Sequence, residues 1–170
     1  MAKILVVVDM QTDFIDGALG TPEAVKIVPY VKNRIENFDG KVFFTRDTHF
    51  EDYLSTQEGR HLPVKHCIKG TPGWQIHPEL DVLRTTDPID KVTFGSSVLP
   101  EILKAENPES VTFMGLCTDI CVISNVMLTK AFFPEVPVIV DAAGCAGVTP
   151  ESHNNALAAM KMCQVTVINE

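Results

Sequence analysis

Apolar residues follow two rhythms along this chain. At the N-terminus, "KILVVVDM" (3–10) is a near-continuous β-branched run, the pattern of a strand covered on both faces. From about Pro22 to Phe38 the rhythm changes, and Val25, Val28, Val31, Ile35 and Phe38 recur at three- and four-residue spacing as one stripe of a helix. Thr21 can cap that helix, Pro22 suits its first position, and Glu23 complements its positive end. "KVFFTRD" (41–47) predicts a second strand, "DVLRTT" (81–86) a third, and "VLPEILKAE" (98–106) a short helix. "SVTFMG" (110–115) predicts a fourth strand, with a helix from about Asp119 to Phe132 after it, and "VPVIVDA" (136–142) a fifth. Thr149-Pro150-Glu151 repeats the cap signature before a helix to about Met162, and "QVTVIN" (164–169) closes as a sixth strand. Strands alternating with helices point to right-handed βαβ units, hence an α/β, three-layer, doubly wound and mostly parallel sheet of six strands. No composition break, repeat or low-complexity tract interrupts the pattern, so residues 1–170 read as a single domain.

The stretch from Asp47 to Pro78 lacks clear periodicity and holds four histidines, at 49, 61, 66 and 77. A long irregular segment inside a compact domain is usually functional or disordered, and this many specific side chains favour function. In doubly wound sheets, ligands bind beyond the carboxyl ends of the strands, where strand order reverses. Asp9 ends the first predicted strand, Asp47 ends the second, Lys91 follows the third, and Cys117 and Cys121 follow the fourth. All of them converge on one rim.

Composition narrows the classes. The 45% hydrophobic and 21% charged residues fit a soluble globular protein, and no apolar run approaches the roughly 20 residues that span a bilayer. The net charge of −8 argues against nucleic acid or an anionic membrane surface as partner, because both need a basic footprint. Five cysteines, an odd number without a CxxC pair or a secretion signal, read as reduced thiols of a cytoplasmic protein. No G-x-G-x-x-G follows the first strand and no Walker A segment occurs, so nucleotide binding has no support.

Cys121 is expected in the first turn of a helix, where unpaired N–H groups and the helix dipole favour a thiolate. Lys91 as a neighbouring cation would favour it further. Asp9 could take the thiol proton and later return it to a leaving group. Each residue also has an ordinary reading: Asp9 as a loop tether through Gln11, Lys91 as a surface lysine, Cys121 as a small apolar filler. Their convergence favours a cysteine hydrolase over a non-catalytic, flavodoxin-like binding module.

The motifs "VVVDMQTDF" (6–14), "TRDTH" (45–49), "LPVKHCIKGTPGW" (62–74), "DKVTFGSS" (90–97) and "GLCTDICVISN" (115–125) together resemble the isochorismatase-like cysteine hydrolases, and within them the nicotinamidase (pyrazinamidase) subgroup. The resemblance spans essentially the whole chain. It implies a Cys–Asp–Lys triad on Cys121, Asp9 and Lys91, and an oxyanion hole from the N–H groups of Cys117 and Cys121. It also implies a cis Leu116–Cys117 bond and an amidase that converts nicotinamide to nicotinate and ammonia through a thioester, a step of pyridine nucleotide salvage. For the loop it implies a divalent transition metal (zinc, with iron or manganese as alternatives) on Asp47, His49, Glu58 and His66, binding the substrate's pyridine nitrogen. The ordinary reading of the loop is a set of solvated polar residues, or an Asp–His hydrogen bond that pins it.

His61 and His77 match no role and are assigned to the surface. Two departures bear on the substrate. Leu62 stands where the subgroup places an aromatic residue, with one extra residue between Pro63 and His66, and "TFGSS" replaces its "YSxF". Phe14, Leu62 and Phe94 are the expected substrate contacts. The partner is then a small amide, nicotinamide or a related carbamoyl compound, and the resemblance implies a homo-oligomer.

Overall fold

A computed structural model describes all of residues 1–170. The strands are β1 (Ala2–Val8), β2 (Lys41–Asp47), β3 (Ile89–Lys91), β4 (Pro108–Leu116), β5 (Val138–Ala146) and β6 (Thr166–Ile168). The helices are α1 (Thr12–Ile15), α2 (Pro22–Glu36), α3 (Gln57–His61), α4 (Pro78–Asp81), α5 (Leu99–Ala105), α6 (Ile123–Phe132) and α7 (Pro150–Met162). One sheet runs in the order β3-β2-β1-β4-β5-β6, and every neighbouring pair is parallel. Strand order therefore reverses between β1 and β4, and the crevice beyond their carboxyl ends is the place where such a sheet binds ligands.

β1 lies at the centre of the sheet, and its run Ile4–Val8 is fully buried. Each such aliphatic side chain contributes about 1.5–3 kcal/mol on leaving water. Thr21 Oγ1 accepts the Ala24 N–H at 3.0 Å at the start of α2, and Thr149 closes a capping box with Ser152 at the start of α7. Both caps stand where the Thr-Pro-Glu signatures predict them. No helix is long and apolar enough to cross a membrane.

The largest correction concerns the third strand. "DVLRTT" is the end of α4 and a turn, because Val82 is exposed and Arg84 Nε bonds back to Asp81 Oδ1 at 2.7 Å. The strand is formed instead by Ile89–Lys91 against Thr45–Asp47 of β2, so Lys91 belongs to it rather than following it. In α2 the buried stripe is Ala24, Val28, Val31 and Ile35; Val25 faces solvent and Phe38 lies past the helix end. The helix expected from Asp119 begins one residue earlier as a π-helical turn, Thr118–Val122, before α6.

Gly115, near the end of β4, has φ +124°, and a Cβ there would lie 2.2 Å from the Val8 carbonyl oxygen. Only glycine lets β4 lie this close to β1 just before the rim. The next peptide bond but one, Leu116–Cys117, is cis, as the resemblance implies.

Candidate active site

Asp9 leaves β1 with φ +46°, a left-handed conformation that aspartate tolerates better than most residues. Its N–H bonds to the Thr45 carbonyl at 3.2 Å, and its carboxylate Oδ1 accepts the Thr45 hydroxyl at 2.7 Å. Lys91 reaches the same carboxylate from β3, with Nζ 2.6 Å from Oδ2, 3.5 Å from Cys121 Sγ and 3.6 Å from Asp47 Oδ1. Nζ also donates to the Thr93 carbonyl at 3.0 Å. Asp9, Lys91 and Cys121 are all buried, so the structure brings the three sequence-predicted residues into one cluster.

The electrostatics differ from expectation. Burial and then the Asp9 charge push the Cys121 thiol well up, against the opposing pull of Lys91. Burial raises the Asp9 carboxyl as well, and Lys91 opposes it. Lys91 is held protonated: burial disfavours its charge, but Asp9, Cys121 and Asp47 together outweigh that. Among these protein groups the favoured arrangement is an Asp9–Lys91 ion pair with a neutral Cys121 thiol 3.5 Å from the ammonium. The resting thiolate expected from the helix end is not favoured, because the ammonium already serves Asp9 and a second buried anion beside it is costly. A thiol in this setting can lose its proton to Asp9 as its sulfur attacks.

The turn that carries Cys121 is held from two sides. Thr118 Oγ1 lies 2.7 Å from His153 Nδ1 on α7, and the Asp119 carboxylate accepts the Val148 N–H at 3.2 and 3.3 Å. Asn125 donates to the Cys121 carbonyl at 2.8 Å while its Oδ1 accepts the Ser96 N–H, also at 2.8 Å. Burial lowers the His153 pKa, which keeps that ring neutral near pH 7.

Asp47, His49, Glu58 and His66 place one ligand atom each within 4.8 Å of one another. Their assembly follows from three local devices. His49 N–H bonds to the Cys67 carbonyl and Lys69 N–H to the His49 carbonyl, both at 2.9 Å, clipping the 66–69 segment beside β2. Thr56 caps α3, and Glu58 stands in its first turn. Gln11 accepts the Asp47 N–H at 2.7 Å and donates to the Asp47 carbonyl at 2.8 Å, fixing the backbone at that ligand.

His66 Nδ1 is 2.8 Å from the Val64 carbonyl, to which it can only donate, so Nε2 presents a lone pair to the cluster. His49 Nε2 is 2.8 Å from Asp47 Oδ2 and 3.5 Å from Glu58 Oε1. Two carboxylates and two imidazoles at these separations fit a tetrahedral zinc-type ion. His49, His66 and Lys91 hold the Asp47 carboxyl below the usual range despite its burial, whereas burial raises Glu58.

One cavity of about 1010 Å³ joins the two groups, and Cys121 and all four cluster residues line it. Cys117, Phe14, Leu62 and Phe94 line it too, whereas Asp9 and Lys91 lie behind its wall. Phe14 packs against His66 with ring centroids 5.5 Å apart. His61, exposed as assigned, stands at the cavity, whereas His77 is half-buried and its Nδ1 has no hydrogen-bond partner. Sequence reasoning missed Thr45, Tyr53, Asn125 and His153. Tyr53 lies fully buried beneath both imidazoles and donates to the Leu62 carbonyl at 2.9 Å. Only Thr45 carried a signal, as a polar residue inside a buried strand.

Parallel order, reversal between β1 and β4, and a thiol at that reversal define the class as the isochorismatase-like hydrolase fold. The chain belongs to the isochorismatase family, whose Isochorismatase domain profile matches residues 3–170. It is similar to the nicotinamidase/pyrazinamidase of Mycobacterium tuberculosis, 26% identical over 197 aligned residues that cover 98% of each chain. Among solved structures it resembles the pyrazinamidase of Pyrococcus horikoshii in complex with zinc, at 28% identity and TM-score 0.83 over 99% of both chains. It also resembles the nicotinamidase of Bacillus subtilis, at 26% identity and TM-score 0.81, over 99% of this chain and all of that one.

Proposed function

We propose that the protein is a cysteine amidase that hydrolyses nicotinamide to nicotinate and ammonia. The observation that carries the reading is the Cys121–Lys91–Asp9 contact set, at 3.5 and 2.6 Å, behind a cavity that the Asp47 cluster also lines. The nicotinamidase names of the relatives support it.

The Cys121 sulfur attacks the carboxamide carbon as its proton passes to Asp9, with the N–H groups of Cys117 and Cys121 receiving the oxyanion. Asp9 then protonates the departing ammonia, leaving a thioester. Asp9 next accepts a proton from water as the water oxygen attacks, and the released sulfur regains a proton. Lys91 orients Asp9 through both halves and favours its carboxylate each time the proton leaves. Asp47, His49, Glu58 and His66 would hold a divalent cation, which supplies a coordination position for the pyridine nitrogen. Phe14, Leu62 and Phe94 line the space for the ring.

Incubating the protein with nicotinamide and zinc and assaying ammonia tests this. Release that disappears in Cys121→Ala is expected, and no release above that control removes the substrate. A second reading, an amidase for another small amide, is favoured by one observation: at the position expected to be aromatic, Leu62 is aliphatic and partly exposed to the cavity. A panel of small amides with mass spectrometry of the trapped acyl-enzyme separates the two.

A further inference from the structure

Large apolar side chains left in water mark a binding surface when they gather at one place. Phe50, Leu62, Val92, Phe94 and Val148 are 39% to 60% exposed, and all five line the same cavity that holds Cys121. They come from the β2–α3 segment, the residue after α3, the segment after β3 and the β5–α7 connection, so the apolar rim is assembled from separate parts of the chain. The cavity, about 1010 Å³, stands at the upper end of the roughly 300–1,000 Å³ that drug-sized ligands occupy, more than one pyridine ring needs.

Its charge is one-sided. The chain has 14 lysines and arginines, yet none lines the cavity, and outside the Asp47 cluster the one carboxylate in its lining is Asp52. Lys91 is the nearest cation to Cys121, and its ammonium is taken up behind the wall by Asp9. At the apolar rim, away from the Asp47 cluster, an anionic substituent would lose water without gaining a counter-ion, which works against such a substrate.

We propose that the cavity selects uncharged carboxamides whose ring carries an apolar substituent directed at the rim of Phe50, Leu62, Val92, Phe94 and Val148, and discriminates against amides carrying a carboxylate at that end. The turnover part of this proposal rests on the amidase reading; the binding preference does not.

The test uses the zinc-supplied protein with three kinds of amide: nicotinamide, nicotinamides bearing a butyl chain at a ring position distal to the carboxamide, and the same isomers with a propionate chain instead. The best butyl isomer is expected to exceed nicotinamide in kcat/KM by more than ten-fold, since each buried methylene is worth roughly four-fold. The propionate isomers should fall below nicotinamide. Val92→Lys, at a position exposed enough to accept the change, should raise the propionate-to-butyl ratio about ten-fold by supplying the missing counter-ion. The same compounds are titrated calorimetrically into Cys121→Ala. If nothing releases ammonia but the affinity order holds, the amidase reading fails and the cavity preference stands. Nicotinamide binding as tightly as the best butyl isomer, or propionate matching butyl, overturns the preference.

Discussion

At Asp9, a left-handed backbone, a buried carboxylate and a buried ammonium meet in one residue's surroundings. Such strain and desolvation persist only where neighbours over-determine them. Thr45 is one of those neighbours, and its hydroxyl lowers the Asp9 pKa against the upward push of burial. Thr45→Val keeps the shape and removes the donor. Asp9 must be ionised to accept the thiol proton, so raising its pKa moves the acidic limb of the kcat/KM profile to higher pH. The expected result is that upward move with about a ten-fold loss at neutral pH, and Thr45→Ser should restore the limb. An unmoved limb would make Thr45 a packing residue only. Cys67, also left-handed at φ +48°, plays a comparable part in the loop, where its N–H donates to Asp13 Oδ2 at 2.8 Å just after His66.

Two elements are tied by polar contacts whose loss has separate readouts. The π-helical turn Thr118–Val122 is clamped to α7 through His153. His153→Ala should leave KM within about two-fold and lower kcat roughly ten-fold, because a small displacement of reacting groups is costly. His153→Asn, which keeps a polar atom near Nδ1, should recover part of that loss. On the other edge, fully buried Asp141 of β5 accepts from Arg34 Nε at 2.7 Å, Tyr30 at 3.0 Å and Asn169 at 3.0 Å, joining α2 and the C-terminus to the sheet. Arg34→Ala strands that carboxylate with two neutral donors and should cost about 2 kcal/mol, below the full penalty for breaking a buried pair because Arg34 is partly exposed. Urea unfolding with an unchanged m-value would register it.

At the scale of the whole molecule, an ion at the Asp47 cluster would join β2, α3 and the 66–69 segment, so binding it should stabilise the fold. Zinc at 100 times its Kd would add about 2.7 kcal/mol, and calorimetry should show a rise in melting temperature that His66→Ala abolishes. The alternation of β-branched runs with capped amphipathic stretches was enough to read a doubly wound sheet, because burial on both faces and helix capping leave local, periodic marks. The convergence of Asp9, Asp47 and Cys121 was legible too, since strand ends are recognisable and doubly wound sheets bring those ends together, whereas Glu58 and His66 came only from the family resemblance. The third strand was not, because three residues carry too little periodicity and Ile89–Lys91 is a strand only by pairing with β2. Nor were the neutral Cys121 thiol, the Thr45 donor, the His153 clamp and the absence of lysine and arginine from the cavity wall. Those depend on which side chains lie beside one another across long sequence separations, and on how much water folding removes from between them, neither of which any local stretch encodes.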